Sequence, residues 1–112
     1  MTEKAFRMLL LEAVDSALSS LGDSARQSVY FHLEKKFDIT RDEIPGRVED
    51  FDHGLERIFG AGAPFLEVLI MKKLYEEIGS KGKILKVDQD EEFKFVDYVK
   101  AAERTYSQAK KG

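Results

Sequence analysis

The chain has 112 residues, enough for one domain with its own hydrophobic core. Its 43% hydrophobic and 35% charged residues are typical of a folded domain and exclude a disordered chain. A sequence without cysteine excludes disulfides, thiolate nucleophiles and cysteine-bound zinc, and the net charge of -3 argues against a surface built throughout for phosphates. We expect a single all-α domain over residues 1–112.

The amino-terminal sequence predicts a cytoplasmic protein without membrane contact. The first residues, MTEKAFRMLLLEAVD, contain a short apolar run that Glu12 and Asp15 interrupt, which is unlike a signal peptide. No stretch of the sequence approaches the roughly 18 uncharged apolar residues of a membrane span.

The first part of the chain predicts two amphipathic helices. Over residues 3–21, apolar side chains recur at spacings of three and four and so share one face. They are Phe6, Leu9, Leu10, Ala13, Ala17, Leu18 and Leu21. We expect Gly22 to end this helix and Asp23 or Ser24 to cap the next. The inward positions of the second helix are Ala25, Val29, Leu33 and Phe37.

A third helix is expected to end near Phe59. Thr40 and Glu43 have the spacing of a capping box, and Pro45 follows them, so a short helical turn is expected before or at the start of this helix. Gly54 lies inside the helix at a cost of about 1 kcal/mol relative to alanine. A close helix crossing at this glycine would offset that cost.

The stretch IFGAGAPFLEVLI, at residues 58–70, invites comparison with a phosphate-binding loop. Such a loop follows a strand and carries a lysine and a hydroxyl residue after its second glycine, and neither condition holds here. The stretch is therefore predicted to be a corner between two helices, with Gly60 in a left-handed conformation and Pro64 in the first turn of the next helix. An anion at the start of that helix is the alternative.

Residues 64–78 predict a fourth helix that is apolar on nearly all sides. A helix of this kind belongs in the middle of a bundle. The sequence therefore predicts a compact bundle of about five helices around this central element. Residues 1–79 would form the core bundle.

The last part of the chain predicts a linker and a C-terminal helix. Glycine and lysine dominate residues 79–83, so residues 80–90 are interpreted as a linker, with a short extended segment at 83–87. Asp88 or Asp90 would cap the final helix, assigned to residues 91–112 and continuing through Ala109. The spacing of apolar residues along this helix predicts a helix-pairing seam, a line of side chains that packs against another helix. The seam residues are Phe95, Val99, Ala102, Tyr106 and Ala109.

The sequence gives no catalytic pattern, so we predict neither an enzyme nor a cofactor or metal site. Glu49, Asp50 and His53 share a helix face, but a metal site needs three or four suitable ligands and this chain offers one such group. His32 has no second histidine at helical spacing. No serine lies in a nucleophile-elbow pattern.

A local concentration of lysine supports DNA binding as an alternative function. A winged helix would use these residues to contact phosphate, with residues 83–87 in its wing, although acidic residues between them nearly cancel their charge. The candidate nucleic-acid contacts are Lys72, Lys73, Lys81, Lys83 and Lys86.

Several blocks between residues 9 and 79 resemble the Nitrosopumilus-type output domain, a small archaeal domain family. These blocks are YFHLE at 30–34, EIP at 43–45, LERIFG at 55–60 and FLE at 65–67, continuing to Leu74 and Tyr75. The resemblance implies an archaeal, cytoplasmic protein with an output or interaction role in signalling. It implies no catalytic or ligand-binding residues.

The leading hypothesis is a non-enzymatic helical module that contacts another protein or itself, for example as a homodimer. Aromatic residues dominate binding hot spots, and the last helix is rich in them. The candidate interface residues are Phe93, Phe95, Tyr98, Val99 and Tyr106. The alternative is that these side chains close the bundle.

Overall fold

Five α-helices and two short 3₁₀ helices make up the regular structure of the described chain. The computed structural model describes residues 2–78 and 94–111, with side chains over 3–78 and 94–107. The elements are α1 (Thr2–Ser19), α2 (Asp23–Phe37), a 3₁₀ helix (Arg41–Gly46), α3 (Val48–Phe59), a second 3₁₀ helix (Gly60–Gly62), α4 (Ala63–Glu77) and α5 (Phe95–Lys111). The predicted all-α class with five helices is confirmed. The linker, the extended segment at 83–87 and the caps Asp88 and Asp90 lie outside the described residues.

The core lies where α1 packs along α4, with α3 and α5 also against α4 and α2 against α1 and α3. Apolar residues from every helix meet there and are nearly inaccessible to water. The largest fully buried side chains are Phe51, Leu10, Leu18, Leu33, Ile39, Ile44, Leu55, Ile70, Met71, Leu74 and Val14. Burial of one such side chain contributes about 1.5 to 3 kcal/mol. The prediction that α4 is a central helix is confirmed, and α1 lies beside it at the centre of the bundle.

Two residues in the first turns of α4 differ from the expectation of an evenly wrapped apolar helix. Phe65 is 81% exposed, whereas Glu67 is only 3% exposed. They are separated by about 200° around the helix axis, because each residue turns an α-helix by about 100°. One side of α4 therefore faces water with an aromatic ring, and the opposite side carries a carboxyl group inward.

The turn between α1 and α2 depends on Gly22. This residue has a φ of +106° and a ψ of 151°, a conformation that residues with a side chain rarely adopt. The prediction that Gly22 separates the two helices is confirmed. The prediction of a cap at Asp23 or Ser24 is wrong, since the helix begins directly at Asp23 and Gly22 takes the N-cap position without a side-chain bond. Leu21, predicted on the inner face of α1, is 48% exposed in this turn.

The first 3₁₀ helix begins with the predicted capping box. The Thr40 backbone N–H and hydroxyl both donate to Glu43 Oε1, each at 2.9 Å. These two bonds favour the charged form of the carboxyl group and lower the pKa of Glu43.

Asp15 links α1 to α2 and to the first 3₁₀ helix. The Tyr30 hydroxyl donates to Asp15 Oδ1, and Arg41 donates through Nε at 3.0 Å and Nη2 at 2.5 Å to the two carboxylate oxygens. Partial burial acts to raise the pKa of Asp15, but the bonds from Arg41 and Tyr30 outweigh it and lower the pKa. The charged carboxylate therefore holds three elements together.

The stretch at residues 58–70 is a corner between helices, as predicted. α3 ends at Phe59, and Gly60 reverses the chain with a φ of +57° and a ψ of -128°, which glycine adopts readily. Pro64 lies in the first turn of α4, where its missing N–H needs no partner. The chain thus enters α4 in a fixed direction.

Gly54 marks a close crossing of α3 and α2. A Cβ atom added there would lie 2.6 Å from Leu33 Cδ2, closer than nonbonded carbons approach. Because Leu33 is itself buried, it has little room to move. Gly54→Ala is expected to destabilise the protein by about 1 kcal/mol, since overpacking outweighs the gain in helix propensity. Chemical denaturation measures this change.

The matched control for this substitution is Gly62→Ala. A Cβ added to Gly62 meets only Phe59 Cβ at 3.9 Å, an ordinary contact, and its backbone is already helical with a φ of -80°. We expect a change within about 0.5 kcal/mol. Equal stability of the wild type and Gly54→Ala would contradict a tight crossing.

Asp15→Asn is expected to lower the free energy of unfolding by about 1 kcal/mol near neutral pH, a modest value because the Arg41 side chain is 41% exposed. The pKa of Asp15 is lower in the folded protein than its unfolded-state value of 3.8. The stabilisation by its carboxylate is therefore present above pH 3.8 and is lost as pH falls through the folded-state pKa. Wild type and variant should therefore converge in acid, as measured by urea denaturation against pH. Asp42→Asn, at a side chain 87% exposed, is the control and should change little. A difference that persists unchanged in acid would count against this role.

Candidate functional site

An acidic cleft of about 550 Å³ opens between α3, α4 and the start of α5. Residues of α3 form one wall, α4 contributes Pro64 and Glu67, and the segment entering α5 forms the other wall. The lining residues are Glu49, Asp52, His53, Glu56, Pro64, Glu67, Lys94, Phe95, Val96, Asp97 and Lys100. Glu49, Asp52, His53 and Glu56 recur at helical spacings of three and four, which places them on one face of α3.

Glu67 is the buried ionisable residue of this cleft. It is 3% exposed, and its Oε2 has no hydrogen-bond partner among the residues that the structure describes. When protonated, its carboxyl group hydrogen-bonds the side chain of Asp52. A buried acceptor without a donor is costly, and most such atoms in proteins are paired. Glu67 is therefore the most unusual polar group of the described core.

The surroundings of Glu67 favour its neutral form. Burial raises the pKa of Glu67 to about 9, with the hydrogen bond to Asp52 and the negative charges of Asp52 and Glu56 acting in the same direction. The carboxyl group accordingly holds a proton at neutral pH. Chemically, the cleft offers a proton that a change in local charge can release.

Glu67 is buried because of its position on α4. It shares a helix face with Ala63, Ile70 and Leu74, which all lie in the core. Sequence reasoning missed this residue. The available signal was its spacing of three and four from Ile70 and Met71 within an apolar helix.

The structure places much of the predicted aromatic interface inside the protein. Phe95 and Val99 are buried, with the Phe95 ring 6.1 Å from that of Phe51, and Tyr98 and Tyr106 are half-buried. Phe93 lies outside the described residues. Phe95, Val99 and Ala102 thus form the predicted helix-pairing seam against the core, and a role in binding a partner stays a prediction.

The lysines of the DNA-binding alternative are only partly described. Lys72 is exposed and Lys73 is half-buried on α4. Lys81, Lys83 and Lys86 lie outside the described residues. Binding of DNA through this region stays a prediction.

The predicted acidic and histidine face of α3 divides between two surroundings. Glu49 and His53 line the acidic cleft, whereas Asp50 accepts a hydrogen bond from Arg47 Nε at 3.0 Å. His32 lies at a separate cleft beside Lys36 and Phe37. Within residues 2–78 and 94–107, no group of three or more histidine, aspartate or glutamate side chains is arranged to hold a metal ion.

Comparison with models of known families, with curated proteins and with solved structures finds no significant match to this chain. The resemblance to the Nitrosopumilus-type output domain accordingly stays a prediction. None of the helices in the described part of the chain is long and apolar enough to cross a membrane.

Glu67→Gln is expected to stabilise the protein at alkaline pH. The pKa of Glu67 is higher in the folded protein, at about 9, than its unfolded-state value of 4.5. The protonated side chain therefore contributes fully to the free energy of unfolding below pH 4.5, and this contribution is lost as pH rises to about 9. The loss is at most about 1.4 kcal/mol per pH unit. Glutamine keeps the shape of the side chain but does not titrate, so the variant should gain stability relative to wild type as pH rises above 4.5, by at most about 1.4 kcal/mol per pH unit.

Thermal and urea unfolding across this pH range measure the difference. Glu76→Gln is the matched control, because Glu76 is an exposed residue of the same helix and does not line the cleft. Parallel pH profiles of wild type and Glu67→Gln would show that Glu67 is charged in the folded protein at neutral pH.

Proposed function

We propose that this chain is a non-enzymatic helical interaction module of archaeal signalling or regulation, acting in the cytoplasm through contact with another protein or a second copy of itself. The observation that carries the proposal is Phe65, whose side chain is 81% exposed on a helix that is otherwise mostly built into the core. A large exposed aromatic ring costs solubility, and such rings are frequent anchors of protein interfaces.

Phe65 belongs to an outward strip along α4. Val68 and Leu69 are half-buried and follow at spacings of three and four, and exposed Lys72 continues the same side. We call these four residues the α4 strip. Its apolar centre beside a polar end is the composition expected of an interface core and rim.

The α4 strip is held on a rigid base. On the opposite side of the helix, Ile70 and Leu74 are fully buried and Leu66 is 7% exposed. Pro64 and the corner before it fix the start of the helix. A partner would meet a preformed surface, so little conformational entropy is lost on binding.

The resemblance of residues 9–79 to the archaeal output domain supports the signalling context. An output domain transmits a signal by contact, which requires an exposed recognition surface and no catalytic group. The two parts of the proposal are independent: the strip supports interaction, and the resemblance supports the setting.

Self-association is tested first, by sedimentation velocity over about a hundredfold range of concentration. If a second copy is the partner, the mass should rise above that of the monomer, and Phe65→Ser should restore the monomer without lowering the melting temperature. Phe31→Ser is the matched control, because Phe31 is also an exposed aromatic residue, at 51%, but lies on α2.

Contact with another protein is tested by a photo-crosslinking amino acid placed at position 65 or, as the control, at position 31. Crosslinks in the native cell should form from position 65 and not from position 31. A monomer at all concentrations together with no specific crosslink from position 65 would rule out the α4 strip as the interface.

A further inference from the structure

We propose that the acidic cleft between α3, α4 and α5 binds an organic cation, an alkylammonium or guanidinium group, whose N–H groups donate to Glu67 and Asp52. This site is separate from the α4 strip, and the proposal does not rest on the interaction role. The expected ligand is a cation with hydrogen-bond donors and a short aliphatic chain.

The first observation is the unpaired acceptor inside the cleft. Glu67 lines the cleft and is 3% exposed, and its Oε2 is without a donor in the described part of the chain. An ammonium or guanidinium group has donors and no acceptor, so it satisfies this oxygen and Asp52 together. Bonds in which both partners are charged are among the stronger hydrogen bonds in proteins.

The second observation is the charge of the groups that face the cleft. Five carboxyl groups outnumber two ammonium groups there, and His53 is the remaining titratable side chain. From α3 these groups are Glu49, Asp52, His53 and Glu56, from α4 Glu67, and from the segment at α5 Lys94, Asp97 and Lys100. Over the described residues, no ion pair joins either lysine to these carboxyl groups. The cleft therefore attracts positive charge.

The shape and walls of the cleft favour an organic cation. Its volume of about 550 Å³ lies in the range of small-molecule sites, roughly 300 to 1,000 Å³. Pro64, Phe95 and Val96 supply apolar surface for an aliphatic chain beside the carboxyl groups. The carboxyl groups described here are not arranged as metal ligands, as noted above.

Binding is coupled to the proton of Glu67. A positive charge beside Glu67 favours the ionised form of its carboxyl group, so the proton leaves to solvent as the cation enters. Each binding event consequently releases up to one proton below about pH 9. Affinity should rise with pH through the neutral range, until the amine itself loses its charge above about pH 10.

Isothermal titration calorimetry at low salt tests the site with cadaverine and agmatine as probes. Tetramethylammonium, which has a positive charge and no N–H donor, is the control ligand. Titration in two buffers of different ionisation enthalpy counts the protons released. We expect saturable binding, proton release, and binding of tetramethylammonium weaker by about tenfold or more.

Variants assign the binding to the cleft. Glu67→Gln and Asp52→Asn should each weaken binding by about tenfold or more. Glu12→Gln, at an exposed residue of α1, should leave affinity unchanged and controls for net charge. Two separate cleft variants are used so that misfolding of one leaves the other to decide, with circular dichroism as the check.

The same titration with acetyl-lysine-amide and acetyl-arginine-amide distinguishes a small metabolite from a peptide side chain as the natural source of the cation. Tighter binding of the free diamine indicates a small metabolite, and tighter binding of the blocked amino acids indicates a basic side chain of a peptide. No saturable heat with any probe, unchanged affinity in both cleft variants, or binding without proton release would overturn the proposal.

Discussion

The packing of α4 against α1 is the constraint on which the other features of this structure depend. Side chains of the two helices fill a common core, and interiors of this kind are packed as densely as organic crystals. The rotation of α4 about its own axis is thereby fixed. Once Ile70 and Leu74 are buried in the core, every other side chain of α4 has its direction assigned.

Two opposite consequences follow from that rotation. Glu67 is carried into a cleft walled by α3 and α5, where burial and two neighbouring carboxyl groups raise its pKa. Phe65, about 200° away around the axis, is carried into water. A buried acid and an exposed aromatic ring each cost stability, and proteins tolerate such costs most often where a surface or a site is used.

Other parts of the structure secure this arrangement from outside the α1 and α4 pair. Gly54 allows α3 to approach Leu33 of α2 closely, which brings the acidic face of α3 to its place in the cleft. Asp15 ties α1 to Tyr30 and Arg41 through charged hydrogen bonds. Phe95 anchors the start of α5 against Phe51, so the far wall of the cleft is set by aromatic packing.

The sequence by itself determined the features that depend on neighbouring residues. The helical spacing, the turn at Gly22, the capping box of Thr40 and Glu43 and the corner before Pro64 all follow from local backbone preferences. The side of α4 that faces the core was decided only by the tertiary structure. A helix that is apolar on nearly all sides carries no polar face to mark its outside, so only the packing of α1, α3 and α5 around it buries Glu67 and leaves Phe65 in water.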